Sequence, residues 1–137
     1  VTFQTGLPFD LIDQKEQPNT RPDLVGRLRT LGRIDGWFDQ TAFAEVPSTG
    51  GVYDRPGTAP RNPFHGPGRQ FMDLSLFKNF PVGERLNTQF RVQFYNITNT
   101  PQFDQPNSSL TSGDFGKVKS IILGTERQIE LALRITF

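Results

Sequence analysis

Apolar and polar residues alternate with a period of two in four stretches of the chain, the spacing of strands whose two faces meet different surroundings. The shortest covers residues 1–5, where Val1, Phe3 and Thr5 share one face and Thr2 and Gln4 the other. A second stretch, about 71–80, puts Met72, Leu74, Leu76 and Phe80 on one side and Asp73, Ser75 and Asn79 on the opposite one. In the third, about 85–98, Leu86, Phe90, Val92 and Phe94 alternate with Asn87, Gln89, Arg91 and Gln93. The fourth, 127–137, is the most regular: Ile129, Leu131, Leu133, Ile135 and Phe137 alternate with Gln128, Glu130, Ala132, Arg134 and Thr136. Lys78 and Thr88 are the main breaks in the apolar parity.

The connections carry a second pattern. A long segment, about 6–70 and rich in Gly, Pro, Asp, Asn and Arg, precedes the second stretch. A tight turn, Pro81-Val82-Gly83-Glu84, joins the second to the third, and a polar segment of about 99–126 precedes the fourth. A soluble antiparallel sheet also alternates, with one face on a core. Here no other segment supplies a second apolar layer. The polar face is rich in amides and holds opposed charges (Asp73, Arg91, Glu130, Arg134), as a wet lumen would.

Long, short, long is the loop order of a transmembrane barrel, whose tight turns face the periplasm. With Phe137 at the periplasmic rim, both long segments fall outside the cell. The eleven residues of the fourth stretch rise roughly 25 Å if tilted near 45°, the height of a lipid-facing band. Lys78 would cost about 2–4 kcal/mol at the bilayer midplane. It lies close to the short turn instead, where its amine can reach the interface. Phe80 and Phe137 are expected in the inner aromatic girdle, Phe94 and Tyr95 in the outer one. The predicted fold is all-β, an antiparallel transmembrane β-barrel, with this chain a C-terminal four-strand fragment bearing two long extracellular loops. Four strands cannot close a barrel, and lipid does not tolerate an open strand edge. The chain opens at Val1 with no charged leader or apolar run after it, so it is expected to be part of a longer protein.

Composition agrees. Only 34% of the residues are hydrophobic, yet thirteen are Phe, and no apolar run approaches the ~20 residues of a spanning helix. A barrel dilutes its apolar face with lumen and loops. Fifteen basic and fourteen acidic side chains leave a net charge of +1, no electrostatic case for binding nucleic acid. Without cysteine there is neither a disulfide framework nor a thiolate metal site.

Candidate chemistry is sparse. His65 is the sole histidine, and a metal site needs several ligands. It has no Gly-x-Ser-x-Gly elbow to serve. Asp114-Phe115-Gly116 stands without the other kinase motifs, and Gly66-Pro67-Gly68 does not continue into a phosphate-binding fingerprint. No catalytic, metal or cofactor site is expected, and the chain is not expected to be an enzyme. Two groups of residues are candidates for binding roles. Trp37, Phe38, Tyr53, Phe64 and His65 offer an extracellular ligand surface, the plainer alternative being that these aromatics pack the loop on itself. Asp73, Arg91 and Glu130 are candidates for a lumen charge network, because antiparallel neighbours share a face.

Several runs resemble the C-terminus of TonB-dependent outer-membrane receptors, particularly the Oar-like group with an N-terminal carboxypeptidase-regulatory-like domain. They are Arg61-Asn62-Pro63-Phe64-His65-Gly66-Pro67-Gly68, Asp73-Leu74-Ser75-Leu76-Phe77-Lys78-Asn79-Phe80, the stretch from Gln89 through Phe94-Tyr95-Asn96-Ile97-Thr98-Asn99 to Phe103, Asp114-Phe115-Gly116-Lys117-Val118, and Arg127 to Phe137. Arg21-Pro22-Asp23-Leu24-Val25-Gly26 and Trp37 to Ala44 look like loop motifs of the same group. The resemblance implies a bacterial outer-membrane transporter of about 22 strands with a plugged lumen, energised through TonB, taking up a ligand the chain does not identify. It also implies that Ile129, Leu131, Leu133, Ile135 and Phe137 form the signal read by the barrel-assembly machinery, beside the surrounding outer-membrane lipid. The alternative is an adhesion or surface-structural barrel without transport; a plug with a TonB box upstream would separate the two.

Overall fold

A computed structural model describes residues 1–13, 20–82 and 86–137. In chain order its strands are β1 (Thr2–Gln4), β2 (Pro8–Phe9), β3 (Asp23–Leu24), β4 (Thr30–Arg33), β5 (Gly36–Phe38), β6 (Phe43–Ala44), β7 (Ser48–Thr49), β8 (Val52–Tyr53), β9 (Phe64–His65), β10 (Arg69–Phe71), β11 (Leu74–Val82), β12 (Leu86–Tyr95) and β13 (Gln128–Thr136). Every pairing between them is antiparallel. A 3-10 turn, Gln40–Ala42, is the one helical element among the described residues. The chain forms two compact units. A strand unit comprises Val1–Gln4, Arg69–Gln102 and Ile122–Phe137, and a loop unit comprises Thr5–Gly68 and Phe103–Ile121.

In the strand unit β12 lies between β11 and β13. The aromatic and β-branched content of these three strands suits a pleated surface. Their register is unbroken: Leu74 pairs with Phe94 at one end of β11 and Val82 with Leu86 at the other, and Asn87–Thr136 and Tyr95–Gln128 bound the second ladder. Direct partners share a face. One face therefore collects Leu74, Leu76, Lys78 and Phe80 from β11, Thr88, Phe90, Val92 and Phe94 from β12, and Ile129, Leu131, Leu133 and Ile135 from β13. Of the short turn expected at Pro81-Val82-Gly83-Glu84, Pro81 and Val82 pair within β11 instead, and Gly83 and Glu84 lie outside the described residues.

The strands end where side chains intercept the backbone. The expected stretch 71–80 is divided into β10 and β11 at Met72 and Asp73. There the Met72 carbonyl accepts the Ile97 amide (2.9 Å) and the Asp73 carboxylate accepts the Asn96 amide (3.0 Å). The third stretch, expected to reach residue 98, stops at Tyr95 because Asn96 adopts a positive φ of 47°, a conformation asparagine tolerates better than most residues. Asn96 is buried. Its amide nitrogen donates to Thr100 O (3.0 Å) and Thr125 O (2.7 Å), and its Oδ1 accepts from Thr98 and from the Thr100 amide. Gln102, also buried, lays its amide against Gln70: Oε1 accepts the Gln70 N–H at 2.8 Å and Nε2 donates to the Gln70 carbonyl at 2.6 Å. A side chain thus does for β10 what a neighbouring strand's backbone would do.

The loop unit is held by aromatic packing between short hairpins. Phe38, 1% exposed, stacks on Phe64 with centroids 4.7 Å apart and meets Phe43 and Phe115 edge-on. Both long connections contribute. The 103–121 segment brings Phe115 into the core, and Trp37 N–H donates to Gly116 O (2.7 Å) while Val118 N–H donates to Ile34 O (2.8 Å). Asp23 is gripped by both guanidinium nitrogens of Arg55 and by the Thr58 amide. Gly57 allows this approach, since a Cβ there would lie 1.8 Å from Arg21 O.

Asn96→Ala should loosen the junction around Thr100 and Thr125. Four side-chain hydrogen bonds of about 1 kcal/mol net each predict a loss on the order of 4 kcal/mol, roughly a 1,000-fold fall in hydrogen-exchange protection at the Thr100 amide of the full-length protein. Unchanged protection there would show that the clasp is not held by this side chain.

Candidate functional site

The three-stranded sheet is two-faced. On β13 the apolar row is bare within its unit: Leu131 is 69% exposed and Leu133 63%, with Ile129 and Ile135 also above half. Phe137, just past the strand, is almost entirely exposed. Aligned with Leu76, Phe80 and Phe90, which are exposed as well, this is a larger continuous apolar surface than water-soluble sheets leave uncovered. Lys78 interrupts it, and its amine lies 5.2 Å from the centroid of the Phe80 ring, drawn along the strand by a cation–π contact.

The opposite face is a ladder of polar side chains. Gln89 Nε2 donates to Asn79 Oδ1 (2.9 Å), with longer contacts from Gln93 to Ser75 (3.4 Å) and from the Tyr95 hydroxyl to Glu130 (3.5 Å). Tyr95 therefore points to the polar face and cannot join an outer aromatic girdle, because it pairs with Gln128 one position out of phase with Phe94. Phe77, expected nowhere in particular, lies on this polar face opposite Arg91.

The register places the members of the expected charge network. Arg91 pairs with Phe77 and Ala132, Glu130 pairs with Gln93, and Asp73 precedes β11 altogether. Asp73 spends a carboxylate oxygen on the Asn96 amide. Glu130 shares a face with Arg91 only diagonally, and the ion pairs among the described residues are Arg55–Asp23, Lys117–Asp114 and Lys119–Asp114. Arg91 and Glu130 stand as diagonal neighbours across β12 and β13 rather than direct partners, and no ion pair joins any two of the three residues.

The proposed aromatic ligand surface is likewise redistributed. Phe38 and Phe64 are buried in the loop core and are not available to a ligand, because burying two rings against each other removes more apolar surface from water than exposing them would spare. Trp37 is partly buried, its indole N–H donating to the His65 carbonyl at 2.8 Å. The Tyr53 hydroxyl donates to the Asp13 carbonyl (3.4 Å), and the His65 side chain is exposed. No group of three or more His, Cys, Asp or Glu among the described residues could hold a metal ion. Sequence reading passed over Asn96 and Gln102; the signal lay in the Asn-, Thr- and Pro-rich run after an apolar strand, a composition that makes side-chain-to-backbone turns.

A family model described as an outer membrane beta barrel domain matches residues 1–130. The chain belongs to that family. A search of curated proteins gives no match, and no solved structure matches. For an outer-membrane barrel domain the two faces have a direct meaning: strands of such barrels alternate an apolar exterior with a polar interior. The protein is therefore placed in the bacterial outer membrane, and the all-β, antiparallel architecture expected from the alternation is the one observed.

The faces predict unequal costs for one substitution made at neighbouring positions. Leu131→Arg should destabilise the full-length barrel in lipid vesicles by about 2–4 kcal/mol if its position is near the midplane, whereas Ala132→Arg, on the polar face, should cost much less. Urea unfolding of both variants checks this, and equal costs would contradict the assignment of faces. In the loop unit, the Arg55 guanidinium holds the Asp23 carboxyl below its ordinary value of 3.8, with the Thr58 amide assisting. A carboxylate with a lowered folded-state pKa contributes stability above its ordinary value and loses that contribution as pH falls through the lowered one. Protection of the Thr58 amide should thus hold down to about pH 3.8 and decline below it. In Asp23→Asn it should be weaker at neutral pH and lack that acid-side decline, as exchange measured across pH would show.

Proposed function

We propose that this barrel domain is the terminal segment of a TonB-dependent outer-membrane transporter that takes up its ligand through a plugged lumen. The observation that carries this reading is the ordered set of motifs from Arg61 to Phe137 that resembles receptors of that class. In it, the apolar face of β11–β13 meets outer-membrane lipid, the amide-rich face lines the interior, and the loop unit lies outside the cell to capture ligand. A loop unit with its own aromatic core supports such a role, because a preformed surface spends less entropy on ordering when it binds. The work is gated passage without covalent chemistry, so the domain is not an enzyme. Energy reaches it through TonB, bound by the N-terminal part of the full protein. Ile129, Leu131, Leu133, Ile135 and Phe137 present the assembly signal to the barrel-assembly machinery.

The test uses the full-length protein expressed in an outer membrane. The periplasmic domain of TonB should retain it from detergent extracts, and deletion of a TonB-box segment ahead of the plug should abolish retention. Deletion of Phe137 should reduce the folded, heat-modifiable fraction without changing retention of what does assemble. A full-length reading frame without a plug, together with no retention, would replace transport by the adhesion or surface-structural reading.

A further inference from the structure

The loop unit contains a cavity of about 350 Å³ lined by Asp10, Leu11, Ile12, Arg21 and Arg61. Its size falls within the range of small-molecule sites. It shares Leu11 with the aromatic core, and the charged side chains among its described lining residues are two guanidiniums and one carboxylate.

Arg21 is half-buried and anchored, with Nη1 donating to the Ala59 carbonyl at 2.7 Å. That contact occupies one of the guanidinium's five N–H donors and fixes the plane of the rest. The close approach of Gly57 to Arg21 O holds the backbone there. Arg61 is exposed and has no ion-pair or hydrogen-bond partner among the described residues, so its donors are free to close on a ligand. Asp10 is committed through one oxygen to the Asn62 amide, next to Arg61 in sequence, which leaves its other oxygen as an acceptor. Neither arginine forms a salt bridge with it.

We propose that this cavity binds a small oxyanion, carboxylate or phosphate, that also carries a hydroxyl. Two guanidinium forks against one carboxylate leave the described lining cationic, and such forks match the paired oxygens of either anion. The Asp10 oxygen would repel a bare anion placed beside it. It instead accepts a ligand hydroxyl and so fixes which end enters. A hydroxy acid or a phosphorylated sugar meets these requirements; a neutral sugar or a cation does not. The inference deepens the transport reading by giving the ligand a chemical class, but its chemistry rests on the loop unit alone.

Titration calorimetry of the full-length protein in detergent micelles, at low salt, tests it with citrate, glucose 6-phosphate and sucrose as probes. At least one anion should bind while sucrose does not, and which anion binds identifies carboxylate or phosphate as the source. Arg61→Gln, at an exposed position, should weaken that binding by roughly tenfold or more, as expected for losing a charge-assisted hydrogen bond, with Arg61→Lys recovering part of the loss. Arg21→Gln should weaken it further but also removes the Ala59 contact, so the Arg61 variants carry the decision. Binding of neither anion, equal binding of sucrose, or anion binding indifferent to Arg61→Gln would overturn the site. Anion binding by a protein that TonB does not retain would sustain the site and overturn transport.

Discussion

A peptide group in hydrocarbon has to find its hydrogen-bond partner in an adjacent strand, because the surrounding lipid offers none. Strand β12 meets that condition on both edges, through continuous ladders to β11 and β13. Once that pairing is fixed, little else about the sheet is free. Direct partners share a face, so the apolar positions of three strands merge into one surface and their polar positions into the other. A slip of a single residue would invert a whole strand. The row of exposed Leu and Ile on β13, unexplained in water, is a consequence of that register.

The same accounting governs where the sheet stops. Beyond Tyr95 the backbone leaves the ladder, and its amides and carbonyls are taken over by side chains. Asn96 ties three parts of the strand unit together: its backbone N–H donates to the Asp73 carboxylate, while its side chain holds the turn to Thr100 and the return through Thr125. Gln102 completes β10 from the side. Short polar side chains with amide ends suit this task, since each offers a donor and an acceptor in one plane.

Apolar burial takes over in the loop unit. Two connections far apart in sequence contribute to one core, with Phe38 at its centre and Phe115 arriving from the later connection. The Asp23–Arg55 pair and the tight passage at Gly57 hold the shell around it. Arg21 and Arg61 line a cavity that shares Leu11 with that core.

The sequence alone determined the class of the sheet. Period-two alternation from Leu74 to Phe94 and from Gln128 to Phe137 is a local property, readable without any partner strand, and with the order of long and short connections it specified an antiparallel wall with unlike faces. Asp73, Arg91 and Glu130 mark where that reading ended: parity tells which face a residue takes, while its position along that face depends on register with another strand. Tyr95 went astray for a different reason: one residue after Phe94, parity alone already gives it the opposite face. Phe38 and Phe64 were visible as aromatics in a loop, but burial depends on what else arrives, and Phe115 comes from a segment some fifty to eighty positions away. Alternation is written residue by residue; register, burial and the meeting of distant loops are settled only when the chain closes on itself, since each is a relation between segments that no single segment carries.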